Sequence, residues 1–110
     1  LTNNGTVIIG VNDAVVFTNK NIKKIYVACD AGMGSSVMGA SILKKKIKEA
    51  GLNVEVEHSP ITQLPENAEV SVTHESLTQR AASVRPTAMH ISIDNFLASP
   101  KYDEIVNALK

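Results

Sequence analysis

From Ile22 to the C-terminus, apolar and polar positions follow two alternating periods, one suited to strands and one to helices. Ile25-Tyr26-Val27-Ala28 is a short continuous apolar run, the pattern of a parallel strand covered on both faces, and Cys29 stands at its end. The Gly- and Ser-rich stretch from Asp30 to Ser36 leads into a helical pattern that puts Gly39, Leu43, Ile47 and Ala50 on one face. Gly51 then occupies the position of a C′ glycine, and Lys44, Lys45, Lys46 and Lys48 complement the dipole of the helix end. Val54 and Val56 alternate with polar neighbours in a second strand, Val70 and Val72 do so in a third, and Leu64-Pro65-Glu66-Asn67 forms the loop between them. A short helix is predicted around Glu75 to Val84, then a turn near Pro86 and a fourth strand at His90-Ile91-Ser92-Ile93. The last helix has Ser99 as N-cap, Pro100 at N1, acids Asp103 and Glu104 in its first turn, and Tyr102, Ile105, Val106 and Leu109 on one face. Strands alternating with helices predict an α/β, three-layer fold with a four-stranded, mainly parallel sheet flanked by about three helices and right-handed crossovers.

Residues 1 to 21 carry two further β-prone runs, Thr6 to Ile9 and Ala14 to Phe17, around Gly10-Val11-Asn12-Asp13. That is a weak hairpin signal, and Asn19-Lys20-Asn21 makes a polar break after it. The division expected is therefore a linker or the end of a preceding segment over 1–21 and one domain over 22–110.

Length limits what such a chain can be. At 110 residues it supports one domain, because a chain of this size buries roughly two-thirds of the surface it exposes when unfolded. The hydrophobic fraction of 44% and charged fraction of 20% are those of a globular protein. No stretch approaches the roughly 20 apolar residues of a membrane-spanning helix. Eleven basic and eleven acidic residues cancel, which argues against nucleic-acid binding through a broad basic field. One cysteine can form neither an internal disulfide nor a thiolate cluster for zinc, so Cys29 matters only as a lone thiol, and a reducing compartment is expected. Residue 1 is Leu and no signal-peptide pattern precedes the domain, so the sequence reads as a piece of a longer chain.

The chemistry concentrates at the first strand-to-helix turn. In an open α/β sheet, ligands bind beyond the carboxyl ends of the strands, which is where Cys29 to Ser36 lies. Gly32 and Gly34 permit close approach, so the backbone N–H groups of Asp30, Ala31, Gly32, Met33, Gly34, Ser35 and Ser36 are candidates to surround one tetrahedral anion at a helix N-terminus. The hydroxyls of Ser35 and Ser36 are further candidate donors. The same donors favour the thiolate, making Cys29 a candidate nucleophile toward phosphorus. The competing reading is a small buried core cysteine followed by an ordinary Gly-Ser turn. A Walker A loop is excluded, because no G-x-x-x-x-G-K-[ST] occurs, and the third glycine of a dinucleotide fingerprint is missing.

The loop is comparable to that of low-molecular-weight tyrosine phosphatases, whose signature starts with Cys and carries Arg six residues later; here that position is Ser35. Without a guanidinium to clamp the equatorial oxygens and stabilise charge during hydrolysis, a thiol would hold a phosphoryl group for another acceptor. Arsenate reductases of this fold need further cysteines, which the chain lacks.

The run from Ile25 through Cys29-Asp30-Ala31-Gly32-Met33-Gly34-Ser35-Ser36 and on to Met38-Gly39-Ala40 closely resembles the enzyme IIB domain of the mannitol-specific bacterial phosphotransferase system. The resemblance continues at Gly51-Leu52-Asn53-Val54, Leu64-Pro65-Glu66, Thr73-His74, Leu77-Thr78, His90-Ile91-Ser92 and Asn95-Phe96-Leu97, and so runs from about Ile22 to the end. Glu75-Ser76-Leu77 departs from it, since an acid is expected directly before the Leu. The resemblance implies a cytoplasmic phosphoryl carrier belonging to a longer membrane protein. Phospho-histidine on enzyme IIA would donate to Cys29, and phosphocysteine would donate to mannitol bound by the membrane-embedded IIC domain, with no cofactor or metal. Two alternatives stay open: a regulatory IIB-like module phosphorylated on the same Cys29, and a small cysteine phosphatase, which Ser35 in place of Arg disfavours.

Other side chains near the loop have plainer readings. Asp30 is expected to organise the loop, as through an Asx-type bond, and Met33 is either a partner contact or a core residue. His58, His74 and His90 are too irregularly spaced for a metal site. His58 with Ser59 and Pro60 is placed at the end of the second strand at the ligand edge, and His74 is expected to make local hydrogen bonds at a helix entry, an approach to the phosphate edge being the alternative. His90 reads as structural, Arg80 and Arg85 as solvated or as docking an acidic surface, and Asp94 as a cap in place of a phosphatase-type acid.

Overall fold

The computed structural model describes residues 2–3, 6–17, 22–29, 34–94 and 100–110. Its elements, in chain order, are β1 (Thr2–Asn3), β2 (Thr6–Ile9), β3 (Lys24–Cys29), α1 (Gly34–Glu49), β4 (Glu55–Pro60), β5 (Val70–His74), α2 (Thr78–Val84), β6 (Met89–Ile93) and α3 (Lys101–Leu109). A 3-10 turn at Ile61–Gln63 links β4 to the loop before β5.

The sheet has six strands in the order β1-β2-β6-β5-β3-β4. The α/β class and the three helices are as expected, but the count of four strands is too low. Strands β2, β6, β5, β3 and β4 run parallel, and β1 adds an antiparallel edge. The difference lies in residues 1–21. Thr6–Ile9 does not form a hairpin with Ala14–Phe17; it pairs parallel to β6, with Val7 opposite Met89 and Ile9 opposite Ile91. Ala14–Phe17 is irregular chain, with Val15 and Phe17 buried in the same cluster as Ile91 and Ile105. Four residues with one long-range partner are below what local periodicity can detect, whereas a parallel neighbour satisfies their N–H and C=O groups at once.

Two cores cover the sheet. One face packs Ile25, Val27, Val70, Val72, Ile91 and Ile93 against Leu43 and Ile47 of α1 and Tyr102 and Ile105 of α3. The opposite face packs Tyr26 and Ala28 against Ile61, Leu64 and Ala81, so α2 and the 3-10 turn form the third layer. Both faces of β3 are therefore dry, which is why Ile25 to Cys29 reads as an unbroken apolar run with none of its residues more than 8% exposed.

Helix α1 stops where the glycine predicts. Gly51 adopts φ +74°, its N–H donates to Lys48 O at 3.1 Å, and Leu52 N–H donates to Ile47 O at 3.1 Å. This is the Schellman pattern, with Leu52 packing back onto the core that holds Ile47. Helix α2 begins at Thr78, three residues later than expected, because residues 75–77 form a turn whose Leu77 N–H bonds His74 O at 2.8 Å. Helix α3 starts at Lys101 with Pro100 in the N-cap position; the expected cap Ser99 lies outside the described residues.

Candidate functional site

Cys29 is the last residue of β3, with Pro60 of β4 level with it on one side. On the other side β3 pairs with β5 in the register Ile25↔Val70, Tyr26↔Ser71 and Val27↔Val72. Cys29 and His74 each lie two residues beyond the last of these pairs, at the ends of their adjacent strands. At the carboxyl edge Cys29 of β3 is level with Pro60 of β4, and His74 of β5 is level with Ile93 of β6. Cys29 shares its face with Ile25 and Val27, the face covered by α1 and α3, and the sequence brings α1 back over that face from Gly34 onward.

Cys29, the candidate nucleophile, is 5% exposed. A strand enclosed on both faces hides its side chains up to its last position, so a reactant must come from beyond the strand ends. Asp30, Ala31, Gly32 and Met33 lie outside the described residues. Gly34, Ser35 and Ser36 form the first turn of α1, a turn that carries no acidic residue, while Lys46 and Lys48 occupy the last. The charge order is the one that leaves the positive end of the helix dipole uncompensated near Cys29.

The three histidines separate clearly. His58 with Ser59 and Pro60 ends β4, as expected; its side chain is exposed, and it is level with Val27 of β3. It borders a shallow groove of about 310 Å³ between α1 and β4, together with Val37, Ala40, Lys44 and Glu57. His90 is fully buried between β5 and α2: its Nδ1 lies 2.6 Å from Ser71 Oγ and its Nε2 lies 2.7 Å from Arg85 O. Burial pushes its pKa below the ordinary imidazole value, with the Arg85 carbonyl partly opposing. His90 is thus structural, as its position in the sequence suggests. His74 is half-buried, and its Nδ1 takes a bond from Ser76 N–H at 3.1 Å and lies 2.7 Å from Ser76 Oγ.

Arg85 is not a free surface cation, since its guanidinium donates to Pro65 O at 3.0 Å and to Val84 O at 2.7 Å, stapling α2 to the loop before β5. Asp94 is exposed in the bend that ends β6. Val37 and Met38, near the start of α1, are 42% and 55% exposed and form apolar surface on that helix. Sequence alone points only to Met33, as a partner contact or a core residue, and passes over these two, although a Val-Met pair immediately after the Gly-Ser turn is a visible signal.

A separate cavity of about 360 Å³ lies at the opposite ends of the strands, lined by Val7, Phe17, Ile22, Val70 and Met89 among others. No thiol lines it, and the length of β3 separates it from Cys29. A group that exchanges phosphoryl with proteins needs an accessible edge more than a deep pocket.

The family model described as PTS system, Lactose/Cellobiose specific IIB subunit matches residues 24–108. The chain belongs to the phosphotransferase-system IIB family. It is 60% identical over 89 residues to the mannitol-specific EIICB component of Geobacillus stearothermophilus, covering 81% of this chain and 19% of that protein. With the mannitol-specific EIICB component of Bacillus subtilis the identity is 51% over 98 residues, or 89% of this chain and 20% of the relative. The mannitol-specific EIICBA component of Pasteurella multocida is 54% identical over 90 residues, 82% of this chain and 14% of its own length. The IIB chain thus spans about a fifth or less of these relatives. No described helix is long and apolar enough to cross a membrane.

Proposed function

We propose that this IIB chain carries a phosphoryl group on Cys29, taking it from phospho-histidine on an enzyme IIA and passing it to mannitol held by a membrane-embedded IIC domain. In the first step the Cys29 thiolate attacks phosphorus, an S–P bond forms, and the N–P bond breaks with its electron pair returning to the imidazole nitrogen. In the second, a mannitol hydroxyl oxygen attacks the same phosphorus, the S–P pair returns to sulfur, and the hydroxyl proton leaves to solvent. The product is mannitol 1-phosphate, and Cys29 is again a thiolate.

The observation that carries this reading is the position of Cys29 in a IIB chain: the end of a buried parallel strand, followed within five residues by the N-terminus of α1. In-line displacement with little covalent work for the protein requires a nucleophile held still and donors facing the phosphoryl oxygens. Strand β3 does the first. The backbone N–H groups of Asp30, Ala31, Gly32, Met33, Gly34, Ser35 and Ser36 are assigned the second. Exposed Val37 and Met38 supply apolar surface for the two partners, which must each dock and leave at the same edge. Mannitol is the sugar because the named relatives, at 51 to 60% identity, are mannitol-specific components. The working place is the cytoplasmic side of the membrane, beside the IIC domain of a longer chain.

The test is intact mass after incubation with phosphoenolpyruvate, the general relay proteins and a mannitol-type IIA. Native protein gains one phosphoryl group, Cys29→Ser gains none, and IIC with mannitol removes it. No phosphocysteine in the presence of an active IIA defeats the proposal, and turnover of an aryl phosphate without partners would indicate a phosphatase in its place.

A further inference from the structure

We propose that His74 is a phosphoryl-binding residue of this domain, donating a hydrogen bond from Nε2–H to the phosphoryl group on Cys29. The inference rests on the carrier reading above and extends it to a residue outside the Cys29–Ser36 loop.

Three observations converge on it. The first is lateral position. The β3–β5 pairing runs to Val27↔Val72, and Cys29 and His74 each stand two residues beyond that pair as the last residues of their adjacent strands. Second is the face. Side chains alternate along a strand, and Val70 and Val72 join Ile25, Val27 and Cys29 in the core beneath α1 and α3. His74 has the parity of Val70 and Val72, so it leaves the sheet on the same side as the thiol.

The third observation is chemical. A backbone N–H can only donate, so Nδ1 of His74 accepts from Ser76 N–H at 3.1 Å and carries no proton. In the neutral ring the proton then sits on Nε2, which has no hydrogen-bond partner among the described residues. The Ser76 hydroxyl, 2.7 Å from Nδ1, adds to the same bias. The turn at residues 75–77, where a helical continuation was expected, creates this arrangement. It turns His74 from a ring of undetermined tautomer into a donor pointed away from its own loop.

A neutral donor is suited to a relay. It stabilises the dianion held on sulfur without the full charge of a guanidinium, which would strengthen with the transition state of hydrolysis as well as of transfer. The site therefore gains a lateral donor on β5 while position 35 remains Ser.

The test compares native protein with His74→Ala and His74→Gln, whose amide nitrogen reaches the place of Nε2. Initial rates of phosphoryl uptake are taken with mannitol-type IIA as donor, and the imidazole is followed by proton–nitrogen NMR before and after phosphorylation. We expect uptake by His74→Ala to fall about tenfold or more, the effect of losing one bond to a charged group, with His74→Gln within about threefold of native. On phosphorylation the Nε2–H proton of His74 should move downfield and exchange more slowly with water, a change that a purely structural histidine would not show. Native protein that is phosphorylated normally, with His74→Ala within about twofold of it and an unmoved Nε2–H signal, overturns the His74 assignment alone. Native protein that accepts no phosphoryl group overturns the carrier reading and this assignment with it.

Discussion

Ser71 Oγ and His90 Nδ1 meet at 2.6 Å across the β5–β6 pair, with both side chains fully buried. Nε2 of the same ring donates to Arg85 O at 2.7 Å, so in the neutral ring, which burial favours, Nδ1 accepts the Ser71 hydroxyl proton. Protonating Nδ1 would place a positive charge in a dry layer. The folded state therefore holds the His90 pKa down, whereas the unfolded chain titrates near the ordinary value of 6.5. As pH falls below that value the unfolded state binds the extra proton first, so stability declines with pH until the lowered folded pKa is reached. Urea unfolding of native protein and His90→Gln should show a native advantage above pH 7 that narrows toward pH 5.

Phe17 tests whether residues before Ile22 belong to the folded unit. Its ring is 6% exposed and packs with the cluster of Ile91 and Ile105. Phe17→Ala should cost about 3–5 kcal/mol in urea unfolding, the range for truncating a buried aromatic side chain. A change below about 0.5 kcal/mol would mean that this segment does not contribute to the core.

The same segment is tied to α3 by charge. Lys101 is 2% exposed; its Nζ donates to Asp13 O and lies 3.6 Å from Glu104 Oε1, which in turn accepts Val15 N–H at 3.4 Å. Lys101→Met keeps the apolar stem and removes the donor. The expected result is a loss of about 1–2 kcal/mol, reduced because the Glu104 side chain is 40% exposed, with faster amide exchange concentrated at residues 10–17.

Gly51 has φ +74°, and a Cβ added there would meet no atom within 4 Å, so crowding does not enter. Gly51→Ala should destabilise by about 1 kcal/mol through backbone strain alone, and Gly51→Asn by less, as read by urea unfolding. Neither should alter the rate of phosphoryl uptake, because the α1 C-terminus is at the far end from Cys29.

Met38 is 55% exposed beside the proposed docking edge. Met38→Asp should leave urea unfolding within about 0.5 kcal/mol of native while raising the KM for a mannitol-type IIA. An unchanged KM would remove this patch from the docking surface.

Much of this was legible in the chain itself. The unbroken apolar run at Ile25–Ala28, the helical stripe through Leu43 and Ile47, and Gly51 after it each report a local requirement: burial on both faces, a 3.6-residue period, a positive φ. The Cys-Asp-Ala-Gly-Met-Gly-Ser-Ser run likewise pointed to its own chemistry and family, because nucleophile and donors are neighbours in sequence. What depended on tertiary structure involves partners far apart along the chain. Thr6–Ile9 becomes a strand only because β6, some eighty residues later, offers a parallel edge. His90 is buried and neutral only because Ser71 and the Arg85 carbonyl converge on it, and Arg85 is occupied only because the Pro65 carbonyl lies beside it. His74 comes to the same sheet edge as Cys29 through strand order, and takes its tautomer from a turn. Local periods encode burial and element type, whereas register and polar pairing are settled when the strands come together, since each buried donor must then find an acceptor.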